Sequence, residues 1–299
     1  MTLEFHHVPV LLHETVNAVI TNRSGCYLDT TGGSGGHAAE LLNQLNDDAK
    51  LIIIDRDPQA IEYLRARFQS EPRVKTIWQG RFGESRKPMD ELKWEQVDGI
   101  IADLGVSSPQ LDSPDRGFSL RYLNAPLDLR MGENEQTANE WLSTADVSEV
   151  VTALEQGGDF RNADRIAEPL LTAARANRLH SVNDAIEAAF PGKQLPRNVQ
   201  SRFLQALRIA VNQEYSELIA LLQLARNRIR PGGRLAIITF HSGEAKIVKQ
   251  EFAARDCKSN YRYWKIPVGL KAQASEAEMK HNRRATSAVL RVAERGVDR

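Results

Sequence analysis

Residues 27–37 are Tyr-Leu-Asp-Thr-Thr-Gly-Gly-Ser-Gly-Gly-His, a short apolar run that leads into a turn with four glycines. Because glycine carries no Cβ, such a turn can bend sharply and let its backbone approach a ligand. The residues that follow, His37 to Leu45, have a helical pattern. This stretch therefore predicts a strand, a glycine-rich turn and a helix.

The first third of the chain repeats this order of strand and helix. Strands are predicted over four short apolar runs, Tyr27–Asp29, Leu51–Asp55, Thr76–Trp78 and Val97–Asp103. A second helix is predicted over Ala60–Phe68, after Pro58, whose missing N–H suits a first helical turn. Alternation at this spacing is typical of an α/β fold with a parallel sheet and helices on both faces.

The pattern changes after residue 105. No strand is predicted from Val106 to Pro196, where a loop rich in proline and glycine precedes several helical patterns. A helical pattern over Ser201–Arg230 then leads to predicted strands at Pro231–Phe240, Tyr261–Lys265 and Thr286–Ala293. Long insertions of this kind are usually functional. We therefore predict a sheet domain formed by residues 1–105 and 201–299, and a mostly helical substrate-recognition domain over residues 106–200.

Composition excludes several classes of protein. The 299 residues are 41% hydrophobic and 26% charged, with a net charge of zero, which favours a folded core and excludes a uniformly basic surface. The segment Lys246–Arg299 nevertheless has 13 basic and 6 acidic residues, so this part of the chain can still meet an anionic partner. Two cysteines make no disulfide framework, and the histidines near the N-terminus have no metal-ligand spacing. Without a leader or a membrane-spanning run, we predict a cytoplasmic protein with no metal and no membrane partner; homodimer formation stays open.

Asp55 ends the second predicted strand and lies 20 residues after Gly35. A carboxylate at that place can accept hydrogen bonds from ribose hydroxyls, so a nucleoside cofactor is predicted. The glycine turn also satisfies the dinucleotide pattern G-x-G-x-x-G/A, and on this evidence NAD and S-adenosylmethionine both stay open. A P-loop is excluded, because no Gly-Lys-Ser/Thr follows the turn.

The end of the fourth predicted strand favours methyl transfer. It places Asp103 shortly before a Ser107-Ser108-Pro109 turn. An exocyclic amine of a base is a poor nucleophile, because its lone pair is delocalised into the ring. A carboxylate and a backbone carbonyl that accept its N–H groups would aim that lone pair at a methyl carbon. We therefore predict Asp103 and the Ser107–Pro109 backbone as catalytic, with solvent as the final proton acceptor.

These motifs and others are similar to those of a known family. The matching segments are His7–Glu14, Asp29–His37, Ile54–Ala60, Asp98–Asp112, Arg116–Ser119, Ala125–Met131, Gln205–Asn212, Pro231–Leu235 and Phe240–Ser242. In these segments the chain resembles the bacterial 16S ribosomal RNA (cytosine-N4)-methyltransferase family, and the resemblance extends over about residues 6 to 295. The resemblance implies a Rossmann-like class I methyltransferase sheet with a helical insertion that helps hold RNA.

The resemblance also implies a reaction and a set of binding residues. S-adenosylmethionine would donate a methyl group to N4 of a cytidine in the decoding centre of small-subunit ribosomal RNA, free or in the assembled subunit. The implied cofactor contacts are Gly35, Gly36 and His37 in the turn, Asp55 on the ribose, Phe82 by the adenine, and Asp103 and Gln110 near the methionine end.

Five residues are candidates for contact with the RNA: Arg116, Arg130, His241, Arg283 and Arg284. For Arg116 and Arg130 a salt-bridge network that holds the long loop is an equal alternative. The chain departs from the family pattern near Pro196, Gly243 and Asn282. Two other functions therefore stay open, a non-catalytic ribosome-assembly factor that keeps the cofactor pocket and an NAD-dependent oxidoreductase.

Overall fold

The computed structural model describes residues 9–133, 136–257 and 261–296, apart from the side chain of Arg283. The chain divides into two compact units, which we call the sheet unit (Met1–Gly105 with Tyr215–Arg299) and the helical unit (Val106–Glu214). The helical unit therefore extends beyond residue 200. The assignment of substrate recognition to it stays a prediction.

The sheet unit is built on a mixed β-sheet. Its described strands are β1 (Cys26–Asp29), β2 (Lys50–Asp55), β3 (Val74–Gln79), β4 (Val97–Asp103), β5 (Ile229–Thr239), β6 (Trp264–Lys265), β7 (Ala272–Gln273) and β8 (Val289–Arg295). The strand order is β3-β2-β1-β4-β5-β8-β6, and β7 also pairs with β8. Strands β1 to β5 are parallel, whereas β8 runs antiparallel to β5. The predicted α/β class with a parallel sheet is confirmed, and β8 adds an antiparallel strand between β5 and β6.

Helices surround this sheet and make up the second unit. They are α1 (Leu12–Val19), α2 (Gly36–Gln44), α3 (Pro58–Arg67), α4 (Arg86–Glu91), α5 (Ser108–Asp112), α6 (Ala138–Thr144), α7 (Val147–Gly158), α8 (Asp164–Arg175), α9 (Val182–Ala189), α10 (Arg197–Val211), α11 (Glu214–Arg228), α12 (Ser242–Ala253) and α13 (Glu276–His281). None of these described helices is long and apolar enough to cross a bilayer.

Strand β2 shows why the sheet is buried on both faces. Leu51 and Ile53 belong to the core on one face, while Ile52 and Ile54 belong to the core on the other. All four side chains are fully buried. Each contributes roughly 1.5–3 kcal/mol by burial, so a continuous apolar run is the sequence expected for a central parallel strand.

The helical unit has its own apolar core, which includes Leu129, Leu154, Leu170 and Phe203. The helical pattern over Ser201–Arg230 is confirmed over most of its length, but the chain forms two helices, α10 and α11, which are separated at Asn212. The buried Asn212 side chain accepts from Met131 N–H at 2.8 Å and donates to Leu129 C=O at 2.7 Å. These bonds tie the end of α10 to the loop before α6.

Two strand predictions near the C-terminus differ from the structure. The strand predicted over Tyr261–Lys265 is reduced to the two residues of β6. The one predicted from Thr286 begins at Val289, because a 3-10 turn over Arg283–Ser287 precedes it. Asn282 caps that turn by accepting the N–H of Arg284 at 3.1 Å.

Candidate cofactor site

Three strands of the sheet unit end in a carboxylate at the same edge: β1 at Asp29, β2 at Asp55 and β4 at Asp103. The strand order reverses at this edge, since β2 lies on one side of β1 and β4 lies on the other. Ligands of open α/β sheets bind at such a switch point, beyond the carboxyl ends of the strands. The candidate site therefore lies where these three strands end.

The glycine turn joins β1 to α2 beside these carboxylates. Gly35 caps α2 in a left-handed conformation with φ 76°, which an L side chain rarely adopts. A Cβ at Gly35 would lie 2.7 Å from the ring of Phe68, so the site also lacks room for one. No side chain of the turn therefore caps the start of α2. A ligand can bind the first N–H groups of a helix only when they are accessible in this way.

Asp55 holds the glycine turn in place. Its Oδ2 accepts the N–H of Gly33 at 2.7 Å, and its Oδ1 accepts the N–H of Asp57 at 2.8 Å. Burial, together with the nearby negative charge of Asp57, raises the pKa of Asp55 to about 6. Each carboxylate oxygen has a further lone pair, so Asp55 can still accept a ribose hydroxyl.

Asp103 is the least satisfied carboxyl group of the site. Its Oδ1 is buried without a hydrogen-bond partner in the described chain. Its Oδ2 lies 4.0 Å from Nδ1 of His37. Burial, and then the negative charges of Asp29 and Glu244, raise the pKa of Asp103 to about 8. The group is therefore suited to receive a donor or a cation from a ligand.

His37 lies in the first turn of α2 and is buried. Its Nε2 lies 3.2 Å from the carbonyl oxygen of Val10 and donates to it, since a carbonyl can only accept. Nδ1 is then the nitrogen that faces Asp103. The structure thus brings His37 to the predicted site, and its contact with the cofactor stays a prediction.

Phe82 lies in a 3-10 turn, Phe82–Glu84, which follows β3. Glu217 on α11 binds this turn through two contacts. Its Oε2 accepts the N–H of Gly83 at 3.0 Å, and its Oε1 lies 3.2 Å from the guanidinium of Arg81. Sequence reasoning missed Glu217, because it is distant in the chain and belongs to no motif.

His241 and Glu244 begin α12 at the end of β5. The structure places His241 as the N-cap, with its Nδ1 accepting the N–H of Glu244 at 3.4 Å. Glu244 reciprocates and accepts the N–H of Phe240 at 2.7 Å. Sequence reasoning missed Glu244, although an acidic side chain at the third helical position is the mark of a capping box. RNA contact by His241 stays a prediction.

The remaining catalytic candidates lie in the helical unit. Ser107 caps α5, and the side chain of Gln110 accepts the N–H of Ser107 at 3.0 Å. Pro109 occupies the first turn of that helix, so the predicted Ser107-Ser108-Pro109 turn is the start of a short helix. The roles of these residues beside the amine and the methionine end stay predictions.

Arg116 and Arg130 brace the loop in which they lie. The guanidinium of Arg116 donates to the carbonyl oxygen of Arg130 at 2.9 Å, while Arg130 makes a two-pronged ion pair with Asp128 at 2.8 Å. These contacts match the loop-holding alternative, and a phosphate contact stays a prediction. The side chain of Arg283 lies outside the described part of the chain, as do His6 and His7. Arg284 lies in the 3-10 turn before β8, where its backbone N–H donates to the side chain of Asn282.

The residues fit a cationic nucleoside cofactor. A glycine turn begins a helix, a carboxylate is available for a ribose, and the buried Oδ1 of Asp103 lacks a partner. No group of three or more metal-ligating side chains occurs among the described residues. The fold and the site therefore define the class: a Rossmann-like α/β protein that binds a nucleoside cofactor.

Comparison with known proteins identifies the family. The model of the MraW methylase family matches residues 4–296, and the chain belongs to this family. It is 41% identical over 307 residues to ribosomal RNA small subunit methyltransferase H of Acidithiobacillus ferrooxidans, covering 97% of this chain and 95% of the relative. The protein of the same name from Acinetobacter baumannii is 37% identical over 301 residues and covers 97% of both chains. A more distant solved structure, NSun6 from Pyrococcus horikoshii, has 10% identity and a TM-score of 0.45, covering 98% of this chain and 53% of that one.

Membership of this family decides between the two cofactors that the glycine turn left open. The chain is a methyltransferase and S-adenosylmethionine is its methyl donor, as predicted. The oxidoreductase alternative is wrong.

Proposed function

We propose that this methyltransferase modifies N4 of a cytidine in the decoding centre of 16S ribosomal RNA, with Asp103 as the residue that aligns the amine. Asp103 carries the proposal, because it combines a buried carboxyl oxygen without a hydrogen-bond partner with a place at the strand switch point. The names of the curated relatives support small-subunit ribosomal RNA as the substrate. A cytoplasmic location follows from such a substrate.

The bound cofactor supplies a methyl group on a positively charged sulfur. Gly35, Gly36 and His37 would hold it at the start of α2, Asp55 would accept its ribose hydroxyls, and Phe82 would pack on its adenine. Asp103 would accept an N–H of the cytidine amine and so orient the nitrogen lone pair for transfer, assisted by the backbone of Ser107–Pro109. Positioning and electrostatics are sufficient for this step.

The direct test incubates the full chain and labelled S-adenosylmethionine with small ribosomal subunits that lack the decoding-centre methylation. We expect label on N4 of that cytidine. In Asp103→Ala we expect near-complete loss of transfer with the fold retained, because the acceptor for the amine N–H is gone. Circular dichroism and thermal unfolding check the fold.

Asp90→Ala is the matched control, since Asp90 is an exposed carboxyl whose ion pairs are with Arg86 and Arg228. It should transfer methyl groups at the wild-type rate. Wild-type transfer by Asp103→Ala would contradict the role of Asp103. Cofactor and RNA binding without transfer to N4 of that cytidine by the wild-type chain would contradict the proposed target.

A further inference from the structure

The hydroxyl of Thr31 joins the glycine turn to the end of β4. Its Oγ1 accepts the N–H of Asp103 at 2.7 Å, across a separation of 72 residues in the chain. The backbone N–H of Thr31 donates to Oδ1 of Asp29 at 3.2 Å. Thr31 therefore contacts both of the acidic residues that end β1 and β4, Asp29 through its backbone and Asp103 through its side chain.

The contact between Thr31 and Asp103 takes the place of a main-chain hydrogen bond. Pairing of β1 with β4 continues past Asp29, because the N–H of Thr30 donates to the carbonyl oxygen of Ile101 at 2.9 Å. In a regular parallel ladder a main-chain carbonyl would accept the next N–H of β4, that of Asp103. The Thr31 side chain accepts it instead. Because threonine is branched at Cβ and has few open rotamers, its Oγ1 is a well-fixed acceptor.

The glycine turn is thus bound to the strands on both of its sides. On the side of β2, the N–H of Gly33 donates to Oδ2 of Asp55 at 2.7 Å. On the side of β4, Thr31 binds Asp103. A displacement of Thr31 would therefore reach the backbone of Asp103 through a single hydrogen bond.

We propose that Thr31 is a positioning residue for methyl transfer: its hydroxyl fixes the backbone of Asp103 relative to the turn that holds the cofactor. The inference rests on the proposed function, which assigns alignment of the amine to Asp103. Transfer requires the amine nitrogen and the methyl carbon to be in line, and a misplacement of about 1 Å in such an arrangement costs roughly 100-fold in rate. Loss of the Thr31 hydroxyl should therefore lower the rate of transfer more than the affinity for the cofactor.

A role in shaping the turn alone would also account for the contact, and two substitutions separate the two roles. Thr31→Val keeps the size and the Cβ branch of the side chain and removes the acceptor. Thr31→Ser keeps the acceptor and removes the methyl group. Thr172→Val is the matched control, because Thr172 is exposed on α8 and its hydroxyl donates to the carbonyl oxygen of Glu168 in the same helix at 2.8 Å.

The experiment measures transfer of labelled methyl groups to small ribosomal subunits that lack the decoding-centre methylation, at saturating S-adenosylmethionine. Calorimetry gives the dissociation constant of the cofactor for each variant. In Thr31→Val we expect kcat to fall roughly 10- to 100-fold and the dissociation constant to change by less than about threefold. Thr31→Ser should keep kcat within about threefold of the wild type, since the acceptor is retained. Thr172→Val should match the wild type in both quantities.

Several outcomes would overturn the inference. Wild-type kcat in Thr31→Val at saturating cofactor would do so, even with weaker binding, because Thr31 would then only shape the turn. A kcat of Thr31→Ser as low as that of Thr31→Val would assign the effect to the methyl group instead of the hydroxyl. If Thr31→Val does not fold, hydrogen exchange of the wild type decides. The amide of Asp103 should exchange as slowly as the amides inside β4, and unprotected exchange would exclude the hydrogen bond.

Asp103→Ala separates this inference from the proposed function. If Asp103→Ala is inactive while Thr31→Val has the wild-type kcat, the inference fails and the proposed function stands. Wild-type transfer by Asp103→Ala would overturn both. Label on another nucleotide would contradict the proposed target, and the kcat of Thr31→Val relative to the wild type would still decide the role of Thr31.

Discussion

Asp29 and Asp103 end neighbouring parallel strands, and few donors reach either carboxyl group. Asp29 is fully buried, its Oδ1 accepts the N–H of Thr31 at 3.2 Å, and its Oδ2 has no partner in the described chain. Burial is the main cause that raises the pKa of Asp29 to about 7, and the charge of Asp55 adds to it. Buried carboxyl groups with few donors destabilise the free protein, and a bound cation would stabilise their ionised form.

The pH dependence of stability follows from Asp29. An unfolded aspartate loses its proton near pH 4, whereas folded Asp29 keeps it until about pH 7. The folded state binds more protons between these values, so the free energy of unfolding falls as the pH rises through that window. We expect the cofactor-free protein to lose on the order of 3 kcal/mol from Asp29 between pH 4 and pH 7. Asp29→Asn should remove this part of the decline, as urea unfolding at several pH values can measure.

Asp47→Asn changes an exposed carboxyl and serves as the control for Asp29→Asn. It should follow the wild-type decline. If the free energy of unfolding of Asp29→Asn falls with pH as much as that of the wild type, the proton of Asp29 makes no contribution to the pH dependence of stability.

At the scale of elements, the site depends on contacts between segments that are distant in the chain. The 3-10 turn with Phe82 follows β3, yet α11 supplies Glu217, which binds the N–H of Gly83 at a separation of 134 residues. A Cβ at Gly83 would lie 2.5 Å from Oε2 of Glu217, so the turn and the helix are in close contact. The place of Phe82 thus depends on α11 as much as on β3.

Glu217→Gln should weaken cofactor binding while the chain stays folded. The variant keeps one acceptor for Gly83 but loses the ion pair with Arg81, so the turn with Phe82 is held less firmly. We expect the dissociation constant of S-adenosylmethionine to rise roughly five- to tenfold, about the net value of one ordinary hydrogen bond. Calorimetry measures it, and hydrogen exchange of residues 81–85 should become faster.

Glu91→Gln, an exposed change at the end of α4, is the control and should bind cofactor as the wild type does. Unchanged binding in Glu217→Gln would mean either that Phe82 does not contact the cofactor or that the turn holds its place without this carboxylate. Faster exchange of residues 81–85 without weaker binding would select the first explanation.

At the scale of the whole molecule, each unit has a separate apolar core. The described cofactor candidates of the sheet unit lie at or shortly after the ends of four strands, β1, β2, β3 and β4. Ser107, Ser108, Pro109 and Gln110 are the cofactor and catalytic candidates of the helical unit. Binding should therefore act on loops, with the helical core left unaffected.

Hydrogen exchange with and without S-adenosylmethionine tests this expectation. We expect protection in residues 30–37, 55–57, 81–84 and 103–110, because a ligand slows exchange where it closes local openings. The long helices α7, α8 and α10 should exchange at the same rate in both states. Cofactor protection centred on these helices would contradict the assignment of the cofactor site to the strand ends.

Local patterns were enough to predict the α/β class, the glycine turn and the three strand-end carboxylates. These features depend on neighbouring residues: apolar runs form buried strands, and a position such as Gly35 requires a positive φ. The motifs also pointed to the family, which the comparison confirmed. The antiparallel direction of β8 and the break at Asn212 were not predicted, because they depend on tertiary partners that propensity does not encode.

The partners of the site residues required the tertiary structure. Ser242 has the residue type that caps helices, yet His241 is the cap, because β5 continues to Thr239 and brings Glu244 back onto Phe240. Glu217 and Glu244 reach the site from α11 and α12, more than 100 residues after the loops and strand ends on which they act. Residue types alone therefore predicted which chemistry the chain carries. Packing decided which carboxyl groups have a raised pKa, since burial and neighbouring charge exist only once the strands and helices are assembled.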